Sequence, residues 1–310
     1  MEDRHVFVYE TIKKLEDRFF GIDGFRVAYN SPLKDFTTWK IGGPAWAVVW
    51  VPDLPSFMNT AKTLEQFDIP WKILGKGSNV LFSDIGYQGV IVRLGGEFAH
   101  VHRVEGSLLE AGGGTLLARV VSVSLREGLS GGEFLVGIPG TVGGALMINA
   151  GCFGAEIGDL VQAVLVRDSQ GKTQWLEGEH AGFCYRNSLL QNGKYSVVKA
   201  RFRFTTSSAD RVRTLIRKYN FIRKQTQPVG EYSAGCVFKN PSKDFAARII
   251  DSLGLKGLRT GDAQISPKHS NFIINRGGAT SQQVRFLMDW IRSEVYRTRK
   301  LFLENEIEVC

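Results

Sequence analysis

Two glycine-rich stretches are where backbone, rather than side chains, could do chemistry in this chain. Gly75-Lys76-Gly77-Ser78-Asn79 directly follows residues 71–74, which read as a strand. Successive main-chain N–H groups in such a loop form a concavity that binds anions, and glycine lets the chain close on an oxygen. Ser78 and Asn79 add side-chain donors. A tight turn reads the same way. Val80 stands where GxGxxG needs its third glycine, and no GxxxxGKS or GxxxxGKT occurs, so neither a dinucleotide fingerprint nor a P-loop is present. The second stretch is Gly137-Ile138-Pro139-Gly140-Thr141-Val142-Gly143-Gly144, followed by Asn149-Ala150-Gly151. Two such loops suit two grips on one long ligand, such as a pyrophosphate and an isoalloxazine ring. Close helix–sheet packing also favours glycine and is the alternative.

The second stretch lies inside residues 134–155, which carry no charge between Glu133 and Glu156. That length could span a bilayer. Six glycines and Pro139 argue against it, because each interior glycine costs a helix about 1 kcal/mol and a proline about 3. A loop in which bare backbone approaches a ligand fits better than a membrane span.

The chain has 310 residues, 43% hydrophobic and 23% charged, which is the make-up of an ordinary globular protein with room for two or three domains. A net charge of +8 favours anionic ligands without selecting nucleic acid over a nucleotide. Cys152, Cys184, Cys236 and Cys310 form no CxxC pair, so neither zinc, nor any other metal site, nor a disulfide framework is indicated. The charged start has no apolar signal core, and a reducing cytoplasm is expected.

Period and capping signals give the elements that must hold these loops. Helices are expected over 6–20, over 55–67 behind Asp53, from a Thr115 cap to 127, from a Ser208 cap, over 245–253, and behind the Thr280/Gln283 capping box. Strands are expected over 45–51, 71–74, 87–94, 99–105, 107–111, 195–204 and 271–275. Residues 160–167 and 173–176 read as a hairpin. The Ser208 helix carries a basic face of Arg211, Arg213, Arg217, Lys218, Arg223 and Lys224. Residues 300–309 read as a closing strand with Glu304, Glu306 and Glu308 on one face. Boundaries fall at 1–94, 95–205 and 206–310, and the class is α+β.

In this order the residues resemble the UDP-N-acetylenolpyruvoylglucosamine reductase family of flavoenzymes. The resemblance rests on Thr38-Trp39-Lys40-Ile41-Gly42-Gly43, LGKGSNVL at 74–81, GIPGTVGGALMINAGCFG at 137–154, Tyr185-Arg186-Asn187-Ser188, SAGCVFKNP at 233–241 and Leu303-Glu304-Asn305-Glu306. It implies a two-subdomain FAD-binding fold of the vanillyl-alcohol oxidase type, with FAD held non-covalently, and a C-terminal α/β substrate-binding domain. It further implies the family's shorter class, without a tyrosine-bearing loop. Cofactor contacts would fall on Gly75, Lys76, Gly77, Ser78 and Asn79, and on Gly137, Ile138, Pro139, Gly140, Thr141, Gly143, Gly144 and Asn149. The catalytic set carries over to Arg186, Cys236 and Glu306. Tyr185, Lys239, Asn240, His269 and Asn271 are candidates for binding the sugar nucleotide.

The implied reaction, reduction of UDP-N-acetylglucosamine-enolpyruvate with NADPH, sets chemical demands that these residue types meet. Hydride addition to the enol ether leaves negative charge shared between C2 and the carboxylate, which suits a fixed guanidinium, Arg186. Glu306 beside the same carboxylate would act protonated, as a donor. Read alone, Glu306 would be a solvent-facing strand residue. Cys236 departs from the family's usual serine, yet a thiol can still deliver a proton to C2. Another flavoprotein oxidase is the runner-up, and a basic nucleotide or nucleic-acid binder is the third reading. Neither a nucleic-acid nor a membrane partner is expected, since basic residues are not interleaved with aromatics as a stacking surface requires.

Overall fold

The computed structural model describes residues 2–310, with side chains from Val6 onward. The chain forms two compact units. One comprises the segment ending at Tyr29 with Trp46–Lys76 and Gly89–Phe221; the other comprises Asn30–Ala45, Gly77–Gln88 and Ile222–Cys310.

The first unit is built on two sheets. A four-stranded sheet runs Arg26–Pro32, Pro44–Val51, Tyr87–Leu94, Trp71–Ile73, with its last two strands parallel. Its strand ends reach a residue or more past the unit's limits. The crossover that this parallel pair needs runs through residues 74–86, and the helix Leu54–Gln66 lies between Pro44–Val51 and Trp71–Ile73. That helix begins where Asp53 Oδ1 accepts from Ser56 N at 2.8 Å in a capping box, with Pro55 in the first turn. Ile12, Val49, Phe57, Leu64, Val90 and Val92 close one core. A five-stranded antiparallel sheet runs Thr173–Glu177, Val161–Asp168, Tyr195–Arg203, Leu108–Gly112, Val101–Glu105. Its inner face packs the helix Leu117–Arg126 in a second core, where each fully buried Leu, Val or Phe contributes about 1.5–3 kcal/mol.

Much of the uncharged stretch belongs to that second core. Phe134, Leu135, Val142, Ala145, Leu146 and Ala150 are all buried in it. Ordinary burial therefore explains a good part of the missing charge, and the exposed residues of the stretch are mainly Gly137, Pro139, Gly144, Phe153 and Gly154.

Three expectations need correcting. Thr115 does not cap the following helix: the N-cap is Leu116, with no side-chain cap. Thr115 is fully buried and donates instead to His100 O at 2.8 Å. The helix's first N–H, that of Leu117, is satisfied by Gly140 O at 3.0 Å, so the second glycine loop serves as its cap. Of residues 300–309 only Glu308–Val309 is a strand, parallel to Val80–Leu81. The preceding residues hydrogen-bond in turn to the loop around Cys236 and to Asn79, so no single ladder forms. Arg223, expected on a basic face, is buried, with its guanidinium on Gln227 Oε1 at 2.8 Å.

The second unit has a three-stranded antiparallel sheet, Arg259–Thr260, Ala263–Ile265, Ile273–Asn275, with the helices Ala246–Ser252 and Ser281–Arg299. The longer helix starts at a Thr280/Gln283 capping box, and Asp84 accepts from Ser281 N at 2.8 Å. Trp39 is fully buried here, donating to Ile273 O at 2.8 Å, which ties residues 30–45 into this unit.

Candidate active site

The loop Gly75–Asn79 holds its carbonyls and leaves its amides open. Arg93 donates to Gly75 O at 2.9 Å, and Thr38 N donates to Gly77 O at 3.0 Å. Among the described residues, no hydrogen bond engages the main-chain N–H of Gly75, Lys76, Gly77, Ser78 or Asn79, although Gly77 is buried. Consecutive unpaired donors are costly unless something meets them. A hydrogen-bonded tight turn is absent, and the arrangement fits the phosphate oxygens of a dinucleotide cofactor. The Asn79 side chain is otherwise occupied, donating to Glu306 O at 3.1 Å.

The second loop is different. Val142 N donates to Thr115 O and Gly143 N to Gly113 O, both at 2.8 Å. A Cβ on Gly143 would lie 3.0 Å from Gly113 O, so close packing is the reason for glycine there. A Cβ on Gly75 would lie 2.2 Å from Thr141 Oγ1, which shows how closely the two loops approach. Gly137, at φ +74°, Pro139 and Gly144 form the exposed rim, with Ile138 half-buried behind it.

These contacts separate two substitutions. Gly77 has φ +64°, and an added Cβ would lie 2.3 Å from Phe36 O. The left-handed backbone alone costs alanine about 1–2 kcal/mol. Where the loop amides meet a phosphate, displacing the loop would remove one or two charge-assisted bonds, so Gly77→Ala is expected to weaken FAD binding roughly 10–100-fold in a fluorescence titration. In Gly144→Ala the methyl meets only Thr141 Oγ1, at 3.6 Å. Its thermal unfolding should be unchanged or shift upward, by up to about 1 kcal/mol.

Arg186 lies in the first unit, half-buried at the tip of a turn closed by Cys184 and Asn187. Its NH2 donates to Gly151 O at 2.9 Å and its NH1 stands 3.8 Å from Glu156 Oε1. The guanidinium carbon lies 5.1 Å from the ring centroid of Tyr185, which is exposed. Asn149 is buried nearby, its amide engaged with Glu156, Cys184 O and Gly158 N.

Cys236 and Glu306 lie in the second unit on neighbouring segments. Glu306 N donates to Val237 O at 2.8 Å, Lys239 N donates to Glu304 O at 2.9 Å, and Phe238 bridges Asn305 antiparallel. Both residues are half-buried, whereas Glu304 and Glu308 are exposed. The period-2 face read from the sequence is thus broken, and Glu306 does not share its neighbours' solvent. Thr38 Oγ1 donates to Ser233 O at 2.7 Å, linking the Cys236 loop to the segment that holds Gly77.

The weaker candidates divide. Asn271 is buried and clamps Phe238, accepting from its N–H at 3.0 Å and donating to its carbonyl at 2.8 Å. Asn240 Oδ1 accepts from Ala246 N at 3.0 Å, at the start of the helix Ala246–Ser252. Lys239 pairs loosely with Glu304 at 3.4 Å and keeps an exposed end. His269 is half-buried against Phe272, its Nδ1 buried without a hydrogen bond.

Burial holds the His269 imidazole below its ordinary range; a main-chain hydrogen bond opposes this and the Lys256 charge adds to it. The folded state therefore binds fewer protons than the unfolded one. The stability linked to His269 is whole above the unfolded pKa of about 6.5 and is lost as pH falls from there through the folded value. His269→Gln should flatten the fall in melting temperature between about pH 7 and pH 5.

Arg93, Thr38, Glu156 and the Gly151 carbonyl escaped the sequence reading. Thr38 and Gly151 lay in quoted motifs; Arg93 and Glu156 act through contacts distant in sequence.

An FAD-binding domain model matches residues 46–177, and a model of the UDP-N-acetylenolpyruvoylglucosamine reductase C-terminal domain matches residues 227–310. The chain is 36% identical over 285 residues to UDP-N-acetylenolpyruvoylglucosamine reductase of Bacillus licheniformis, covering 92% of this chain and 94% of that one. It is 39% identical over 287 residues to reductase 2 of Symbiobacterium thermophilum, covering 93% of each. The crystal structure of the Thermus caldophilus reductase superposes with a TM-score of 0.81 at 38% identity, over 92% of this chain and 99% of that one. With identity at this level sustained along nearly the whole length, the chain belongs to the UDP-N-acetylenolpyruvoylglucosamine reductase family.

Proposed function

We propose that this chain is an FAD-dependent reductase that uses NADPH to convert UDP-N-acetylglucosamine-enolpyruvate to UDP-N-acetylmuramate, a step of peptidoglycan precursor synthesis. The observation that carries the proposal is the open row of N–H donors from Gly75 to Asn79, in a chain similar throughout to reductases of that name. The FAD-binding part is divided near residue 94, and the substrate-binding domain begins near residue 206. The protein works in the cytoplasm and is of the shorter class. Neither a nucleic-acid nor a membrane partner is included, and among the described residues no helix is long and apolar enough to cross a membrane.

The amides of Gly75–Asn79 would hold the pyrophosphate, and the exposed rim of Gly137, Pro139 and Gly144 would meet the flavin ring. When bound, FAD supplies the hydride that reduces the enolpyruvyl group, having been charged by NADPH. Arg186 stabilises the negative charge that develops on the substrate carboxylate and C2. Cys236 delivers the proton to C2 from its thiol. Glu306, as a carboxylic acid, donates a hydrogen bond to the substrate carboxylate. Lys239 and Tyr185, both with exposed surface, would bind the sugar nucleotide.

Purified protein should be yellow, bleach with NADPH in the absence of oxygen, and recover its colour on adding the enolpyruvyl sugar nucleotide. A colourless protein that does not take up FAD would overturn the flavin assignment. Bleaching without recovery would point instead to another flavoprotein activity.

A further inference from the structure

Arg186 is a long side chain on a strained turn, and one buried amide holds both its ends. Cys184 and Asn187 exchange main-chain hydrogen bonds, each of 3.0 Å, so Tyr185 and Arg186 occupy the centre of a two-residue turn. Arg186 sits at φ +53°, in the left-handed region that a residue with a Cβ occupies only when its surroundings impose it. Asn149, 2% exposed, donates through Nδ2 to the Cys184 carbonyl at 3.0 Å and to Glu156 Oε2 at 2.6 Å. Its Oδ1 accepts from Gly158 N at 2.9 Å. The other Glu156 oxygen faces the Arg186 guanidinium at 3.8 Å, and the Gly151 carbonyl accepts from that guanidinium at 2.9 Å.

We infer that Asn149 and Glu156 are positioning residues for Arg186, gripping its main chain through Cys184 and its guanidinium through the carboxylate. Both Asn149 N–H donors are already engaged inside the protein, so Asn149 has no donor left for a cofactor. An arginine loses much rotamer freedom when ordered. Ordering it before the substrate arrives removes that cost from the chemical step. The role assigned to Arg186 rests on the proposed reductase activity; the clamp itself rests on the hydrogen bonds alone.

The test is a double-mutant cycle on the holoenzyme. Flavin is reduced anaerobically with NADPH, and its reoxidation by UDP-N-acetylglucosamine-enolpyruvate is followed by stopped flow. Glu156→Gln and Asn149→Gly, the latter keeping the left-handed backbone without strain, should each slow reoxidation about 10–100-fold. Combined with Arg186→Met, each should add less than about a twofold effect, because residues acting through one another are not additive. Amide hydrogen exchange of residues 184–187 in the resting protein should rise about tenfold or more in Asn149→Gly. Fully additive effects, equal slowing of flavin reduction by NADPH, or unchanged exchange in the turn would each overturn the inference. If the parent protein is not reoxidised by the sugar nucleotide at all, the functional reading fails, and the exchange measurement still decides whether the clamp exists.

Discussion

Replacing Cys236 by alanine is expected to leave flavin reduction by NADPH nearly intact while slowing reoxidation by the enolpyruvyl sugar nucleotide about 10²–10⁴-fold, the usual worth of a positioned general acid. The asymmetry follows from the chemistry. Taking hydride from NADPH needs no proton donor at C2 of a sugar ether, whereas finishing the reduction does. Cys236 has the setting for the role: its loop is pinned by Asn271 at Phe238 and by Thr38 at Ser233, and it runs beside Glu306. Cys236→Ser, which keeps a hydroxyl proton donor in place of the thiol, should recover most of the rate. A thiol oxidises where a hydroxyl does not, so peroxide should inactivate the parent protein and spare the serine variant. Stopped-flow measurement of the two half-reactions checks all three outcomes. Equal damage to both half-reactions in the alanine variant would remove Cys236 from the proton transfer.

Arg186→Met should lower the same reoxidation rate roughly 10²–10³-fold, comparable to deleting one donor that stabilises a developing oxyanion. Methionine keeps bulk and apolar stem and removes only the charge and its forked donors. Arg186→Lys should be nearly as damaging, since an ammonium cannot reproduce a fork that reaches both Gly151 O and the Glu156 side. Flavin affinity should stay within about twofold in both, because nothing in the arrangement makes Arg186 a pyrophosphate ligand. A drop in flavin binding as large as the drop in rate would show that Arg186 acts through the cofactor.

Local physics made much of this protein legible without coordinates. Asp53 before Pro55, and Thr280 three residues ahead of Gln283, are capping chemistry that acts within one turn, and both helices begin there. The apolar runs at Pro44–Val51 and Tyr195–Arg203 became strands for the same reason, since alternation and β-branching act over neighbouring residues. The glycines of the 75–79 loop were recognisable because only backbone freedom explains them. What failed locally failed by long-range competition. Thr115 has the right type for a cap, but its hydroxyl finds His100 O. The alternation of Glu304, Glu306 and Glu308 suggests one exposed face, but successive residues there bond to different partners and only the middle carboxylate is half-buried.

The sequence by itself therefore determined the elements, the family and the residue types able to do the chemistry, because those are written in composition, spacing and motif order. Tertiary structure alone decided which unit each residue joins. Residues 30–45 and 77–88 join the C-terminal part through the buried Trp39 and through the pairing of Val80–Leu81 with Glu308–Val309. It also decided whether the two glycine stretches offer donors: the amides of Gly75–Asn79 stay open, whereas the carbonyls of Thr115 and Gly113 take up those of Val142 and Gly143 in turn. The same holds for Asn149, which belongs to a flavin-facing motif in sequence and to the Arg186 clamp in space. A hydrogen-bond partner is chosen by distance after folding, and spacing along the chain carries no record of it.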